Sequence, residues 1–236
     1  MSRQSEIVSK LREMILTGDL PPGRKIAQVP VAEMLGASRT PVRHALATLA
    51  LEGLVEPMGN DRGYTVRRAT GEDMLNAVQL RGVLEGLSAR RLAEVGMPDR
   101  VRELLESCIE DGEQVFTGAG LVPGGGERWR AVNHRFHSAI VQALPNLPVQ
   151  RAARLNEQVP FASAGTVVID AGDVRTTQRR SSVLIEAQRQ HRAILRCLVN
   201  REGARVEALL REHCYLAIEN IGLIDTRLPP SVDEAV

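Results

Sequence analysis

The stretch from Leu35 to His44, Leu-Gly-Ala-Ser-Arg-Thr-Pro-Val-Arg-His, admits few local structures. Gly36 follows a short apolar run, Val31 to Leu35, and can take the positive φ that a tight turn between helices needs. Ser38 suits an N-cap, its hydroxyl placed to accept from the unpaired amides of the next turn. Pro41 then falls in that first turn, where a missing N–H costs nothing. Val42, Leu46 and Leu49 recur at helical spacing and form a stripe to be buried. Ser38, Arg39, Thr40, Arg43 and His44 are left on the open face, near the positive end of the helix dipole. That is the layout of a helix that reads bases in the major groove. Taken alone, it also fits a solvated helical hairpin carrying two arginines.

The following residues narrow the choice. Gly53 ends the helix, and Leu54–Pro57 and Gly63–Arg67 read as two short strands joined by Gly-Asn-Asp-Arg-Gly at 59–63. A helix-turn-helix followed by a small hairpin is a winged helix, with Arg62 and Gly63 at the wing tip as further DNA contacts. Leu20-Pro-Pro-Gly23, the Leu35–Arg43 run, Leu49-Ala-Leu-Glu-Gly-Leu-Val55 and Arg62-Gly-Tyr-Thr-Val66 together resemble the DNA-binding domain of the GntR family of transcriptional regulators. Many relatives carry a basic residue near position 29; Val29 stands there in this chain, so one backbone contact is expected to be missing or moved.

Charge divides in the same place. Residues 1–70 hold ten Lys/Arg against seven Asp/Glu, and the rest holds 20 against 22. A basic small domain followed by a slightly acidic larger one suits a DNA reader joined to a non-DNA domain. Aromatic residues make up 3% of the chain, which disfavours recognition of single strands by base stacking. No apolar run approaches the ~18 residues of a membrane span, and the N-terminus lacks a signal-peptide core. Three cysteines without paired spacing read as reduced thiols, so a cytoplasmic protein is expected.

The fold class expected is mainly α: a winged helix-turn-helix over 1–69, then an antiparallel bundle of six or seven helices over 70–236. Ser5–Thr17 is the first helix. In the second domain, helices are expected over 72–94, from Pro98 to about 116, and over 127–143, 149–159, 178–200 and 202–223. Val101, Leu104, Leu105, Cys108 and Ile109 would face inward. The Gly-rich segment 117–126 reads as a loop; it lacks the Lys-Ser/Thr ending of a phosphate cradle. Residues 161–172 fit either a short helix or a loop over the core. No strand is expected outside the wing.

Four histidines lie in this half. Asn133 and His137 are four apart and share a face with Ile140 and Leu144, whereas His134 lies beside Arg130 and points outward. His191 and His213 are central in the last two helices. Three inward histidines from three helices can meet as a divalent-metal site, with Asn133 adding an oxygen, or can be ordinary core histidines. Asn133-His-Arg-Phe-His137, Gln190-His-Arg-Ala-Ile-Leu195 and Arg211-Glu-His-Cys214 resemble the ligand-binding FCD domain of the FadR-type branch of the family. The resemblance implies a metal (Zn, Ni, Fe or Mn) held by Asn133, His137, His191 and His213. Many members carry Asp where Asn133 stands, which implies weaker affinity. Arg81-Gly-Val-Leu-Glu85 matches the family's Arg-x-x-x-Glu, whose arginine faces a carboxylate effector; the same spacing fits an i,i+4 surface pair. Parts of this half further resemble vanillate-type repressors of aromatic-acid genes. The resemblance thus implies no enzyme. It implies a homodimeric repressor that reads a palindromic operator in double-stranded DNA and is released by a small organic acid bound beside the metal. A direct metal sensor is the alternative, and a metal-dependent hydrolase a remoter one, since no Asp or Glu lies within one helical turn of His137.

Overall fold

The computed structural model describes residues 3–17, 19–59, 63–68, 70–117, 120–157, 159, 162–164 and 174–222. The main division falls between Thr70 and Gly71, giving two compact units.

The first unit contains α1 (Arg3–Thr17), β1 (Lys25–Ile26), α2 (Gln28–Met34), α3 (Arg39–Leu51), β2 (Val55–Pro57) and β3 (Tyr64–Val66). Its core is the expected stripe of α3, Val42, Leu46 and Leu49, closed against Ile7, Val8 and Leu11 of α1 and Val31 of α2. Arg12 of α1 makes a forked ion pair with Glu52 at the end of α3, with N···O distances of 2.7–3.1 Å. Two parallel bonds fix orientation as well as distance, so α3 is held from its far end. Gly36 turns between α2 and α3 at φ 57°. The sheet has one strand more than the sequence suggested. β3 is central, pairing antiparallel with β2 (Val55 opposite Val66) and with β1 (Ile26 opposite Tyr64). Two residues are too few to carry an alternation signal, which is why β1 was not legible.

The second unit is a helical assembly of α4 (Gly71–Val95), α5 (Asp99–Glu113), α6 (Gly125–Gln142), α7 (Leu147–Asn156), α8 (Val174–Val199) and α9 (Gly203–Gly222). Its main core joins Leu92 of α4, Leu105 of α5, Phe136 and Ile140 of α6, Ile194 and Leu198 of α8, and Leu210 of α9. Leu104 of α5 is 39% exposed instead of inward; Leu105, one residue on, takes the buried position. Helix α4 lies close along α9 because two glycines leave room. A Cβ on Gly86 would sit 3.1 Å from the Glu207 carbonyl, and one on Gly82 would sit 3.2 Å from Cys214 Sγ. Asn146 caps α7 through its side chain, which accepts from Val149 N–H.

The expectation of no strand outside the wing is corrected. β4 (Phe116–Thr117) and β5 (Gly120–Leu121) form a small antiparallel hairpin in the Gly-rich segment. Phe116 and Trp129 meet edge-to-face with ring centroids 5.3 Å apart, so the hairpin packs against that ring. Of segment 161–172, residues 162–164 form a turn; the remainder lies outside the described residues.

Candidate nucleic-acid interface and candidate metal centre

On α3, Ser38, Arg39, Thr40, Arg43 and His44 are all exposed, while Val42, Ala45, Leu46 and Leu49 are buried. The helix therefore presents a polar, cationic strip backed by a rigid apolar face. Ser38 stands at the N-cap with extended backbone (φ −78°, ψ 163°), but its side chain makes no capping bond. The expected cap is corrected: this helix start is solvent-exposed, so water or an anion can serve its amides. Gly63 answers a structural demand of its own. It is buried at φ 109°, and a Cβ there would lie 2.6 Å from the Ile26 carbonyl. Its role is to let β3 approach β1. Arg62 lies outside the described residues.

In the second unit, the three histidines are brought together. His137 of α6, His191 of α8 and His213 of α9 are 2%, 1% and 4% exposed, and their ligand nitrogens lie within 4.8 Å of one another. His134 is exposed, as its helical position required. The orientation of each ring follows from its other nitrogen. His137 Nδ1 is 2.7 Å from Glu85 Oε2, His213 Nδ1 is 2.9 Å from Gln190 Oε1, and His191 Nδ1 is 3.4 Å from Gln188 Oε1. Gln188 is itself set by its amide N–H, which donates to the Ile109 carbonyl at 2.7 Å. Each of these three oxygens accepts, so each Nδ1 carries the proton and donates; the tautomers are assigned from this network.

The consequence lies at the Nε2 atoms. His137 Nε2 is 3.2 Å from that of His213 and 3.4 Å from that of His191. With the protons on Nδ1, three lone pairs converge with no hydrogen between them. Such a cluster is repulsive alone and favourable around a cation. Burial, together with the neighbouring imidazoles, pushes His191 and His213 well below the usual histidine range, which keeps them in the neutral, ligand form. Asn133 borders a small cavity together with His213. Its Nδ2 donates to the Ala164 carbonyl at 2.5 Å, and its buried Oδ1 has no hydrogen-bond partner. Three convergent imidazole nitrogens fit a divalent ion, with an orienting carboxylate behind His137.

The place of Glu85 behind the histidine cluster was not legible in the sequence, where it stood only as the partner of Arg81. It is buried at 4% exposure, and burial opposes its ionisation. His137 and Arg81 outweigh that penalty and hold its carboxyl below the usual range. The Arg81–Glu85 spacing is therefore not a surface pair: Nε and Oε1 are 3.7 Å apart, both side chains inside. Arg81 also donates to the Ala162 carbonyl at 2.9 Å and to Cys214 Sγ at 3.7 Å. His191 is clamped between two rings, Phe136 at 4.2 Å and Trp129 at 5.6 Å. The bundle opens beside this centre. Arg81, Glu85 and His137 border a cavity of about 400 Å³, whose wall also includes His134, Ser138 and Gln142.

Comparison with known proteins bears on both units. Residues 3–61 match the family described as bacterial regulatory proteins, gntR family, and residues 76–215 match the FCD domain. The chain is 31% identical over 142 residues to an HTH-type transcriptional regulator in the TAR-I ttuE-ttuC' intergenic region of Agrobacterium vitis, spanning 59% of this chain and 79% of that one. It is 32% identical over 155 residues to a protein of Paenarthrobacter nicotinovorans named "Probable D-xylose utilization operon transcriptional repressor" (63% of this chain, 64% of that one). Among solved structures, the GntR transcriptional regulator from Rhodococcus sp. RHA1 superposes with a TM-score of 0.61 at 21% identity, covering 95% and 98% of the two chains. E. coli McbR/YncC gives 0.56 at 18%, covering 95% and 97%. At those identities the likeness is one of fold.

Proposed function

The chain belongs to the GntR family of bacterial transcriptional regulators, with an FCD domain as its second unit, and from that premise we propose that it is a repressor whose grip on DNA is released by a small organic acid. The relatives and the fold are those of regulators and not of enzymes, so the hydrolase alternative falls. Two copies, paired through their second units, set two α3 helices on the half-sites of a palindromic operator. Arg43 and Arg39 supply donors for base edges or phosphates, Thr40 and His44 add shorter contacts, and Ser38 with the first-turn amides meets a phosphate. Arg62, between β2 and β3 in the sequence, is a further contact residue in this reading. The protein acts in the cytoplasm, where that DNA is; no helix among the described residues is long and apolar enough to cross a membrane.

One observation carries the effector reading: three Nε2 lone pairs converge, and His137, one of the three, borders a cavity that Arg81 also lines. His137, His191, His213 and Asn133 would hold a divalent ion of the Zn, Ni, Fe or Mn class. When bound, that ion supplies a fixed positive charge for an anionic ligand. Arg81 provides the second cationic partner, and the cavity admits the body of the acid. To release DNA, the acid must prefer the DNA-incompetent arrangement by a few kcal/mol.

The test is an operator-binding titration by the purified full-length chain, first with divalent metal and then with a panel of carboxylic acids. Release by acid in metal-loaded protein is the expected result. Release by metal alone would identify a direct metal sensor, and no response to any acid would remove the effector reading.

A further inference from the structure

Away from Arg81 and His137, the wall of the 400 Å³ cavity has a chemistry of its own. Two polar stripes border it. His134, Ser138 and Gln142 recur every four residues along α6 and so share one face. Gln150, Arg154 and Glu157, at steps of four and three, do the same along α7 and its C-cap. The apolar share of the wall is small: Leu84, Val141 and two alanines. Among the described residues no Phe, Tyr or Trp borders the cavity, so an aromatic ring would find no flat partner there.

The hydrogen bonds of this wall say which groups are left for a ligand. Gln150 Nε2 donates to the Leu144 carbonyl at 3.1 Å, and Asn156 Nδ2, also on the cavity wall, donates to the Ala77 carbonyl at 2.8 Å. A carbonyl only accepts, so both amides are fixed in orientation, with the nitrogen on the main chain and the oxygen left over. Neither oxygen has a hydrogen-bond partner among the described residues, and neither is among the unpartnered polar atoms sealed from solvent. The Glu157 carboxylate is likewise without a hydrogen bond among them, and its charge reaches Arg81. All three groups are acceptors. A ligand satisfies them by donating, which a second carboxylate, a carbonyl or a C–H group does not do. An ammonium donates, but Arg154 stands on the same face as Glu157 and repels it. A hydroxyl suits both: it donates to the oxygens and accepts from Arg154, whose Nε alone is engaged among the described residues, on the Gln150 carbonyl at 3.3 Å.

We propose that this cavity selects a polyhydroxylated carboxylic acid, of the aldonic or uronic type, with Gln150, Asn156 and Glu157 accepting from hydroxyls along its body. The inference rests on the reading that the second unit binds an organic acid, and it adds the residues that choose among acids. The volume lies at the lower end of ordinary small-ligand sites, which fits a short chain of this kind.

The test matches carbon number and varies the body. The full-length chain, metal-free and Zn²⁺-loaded, is titrated calorimetrically with hexanoate, adipate, 6-aminohexanoate, benzoate and the six-carbon aldonic acids. At least one aldonic acid is expected to bind about 10- to 100-fold more tightly than hexanoate, the return on several neutral hydrogen bonds. Glu157→Leu changes an exposed side chain and removes one acceptor. It is expected to weaken that aldonic acid by about 3- to 10-fold and leave hexanoate unchanged, and Glu157→Gln, which keeps an acceptor oxygen, should recover most of the loss. Hexanoate or benzoate binding as tightly as every aldonic acid would overturn the inference and leave the acid reading standing. So would adipate or 6-aminohexanoate binding tightest, and so would a Glu157→Leu protein that loses both acids equally. No acid binding in either metal state would overturn both.

Discussion

Replacing Glu85 by Gln isolates what the carboxylate behind His137 contributes. Glu85 Oε2 accepts from His137 Nδ1 at 2.7 Å inside the protein, so its charge is unscreened and raises the basicity of the opposite nitrogen, Nε2. Gln retains an oxygen that can accept the same bond, and so keeps the ring's tautomer while removing the charge. Losing an outer partner of a metal-bound histidine typically lowers metal affinity by about 10- to 100-fold, or ~1.4–2.8 kcal/mol. Glu85→Gln should fall at the lower end of that range. Glu85→Ala, which also frees the ring to turn, should fall at the upper end. The same substitution leaves the buried Arg81 guanidinium without its carboxylate. Because Nε and Oε1 are 3.7 Å apart, the stability lost should lie near or below ~3 kcal/mol, the low end for breaking a buried pair. Metal affinity is read by competition against a chromophoric chelator, and folding by circular dichroism on the same samples. A folded Glu85→Gln protein whose zinc affinity stays within twofold of wild type would refute the argument, because the carboxylate would then be only a packing partner of Arg81.

Alanine at His137, His191 or His213 should each empty the site in metal analysis, whereas alanine at exposed His134 should leave metal content unchanged. Arg43→Ala should weaken specific operator binding by ~1–3 kcal/mol at physiological salt without altering the thermal transition, since the side chain is exposed; gel-shift and melting measurements on one preparation check both halves. Gly63→Ala forces a Cβ against the Ile26 carbonyl at a backbone angle that only glycine adopts easily, so the first unit should lose more than ~1 kcal/mol by urea unfolding. An unchanged midpoint would mean that β1 is free to move aside.

What the sequence decided by itself is what nearest neighbours along the chain decide. The spacing of Val42, Leu46 and Leu49 set which face of α3 is buried, and so which face carries Arg39 and Arg43. Gly36, Pro41 and Gly53 marked where that helix could begin and end. The four-residue step from Asn133 to His137, in phase with Ile140, turned one histidine inward and its neighbour His134 outward. All of these are consequences of a 3.6-residue turn, which is a local property. Strands of two residues escaped: Lys25 of β1 pairs with distant Thr65, and β4 and β5, although neighbours in one hairpin, are too short to carry a period of their own.

The site's chemistry belonged to the tertiary structure. Glu85 and His137 are 52 residues apart, and His137 and His213 are 76 apart, so no spacing relates them. They meet because Gly82 and Gly86 let α9 lie close along α4, which sets His213 beside the face that carries Glu85. Nothing in the sequence singles out Trp129, four residues before Asn133. Only the packed bundle leaves its N–H without an acceptor beside a cavity. Periodicity assigns a side chain to a face, but whether a buried polar atom has a partner depends on which other helix arrives there.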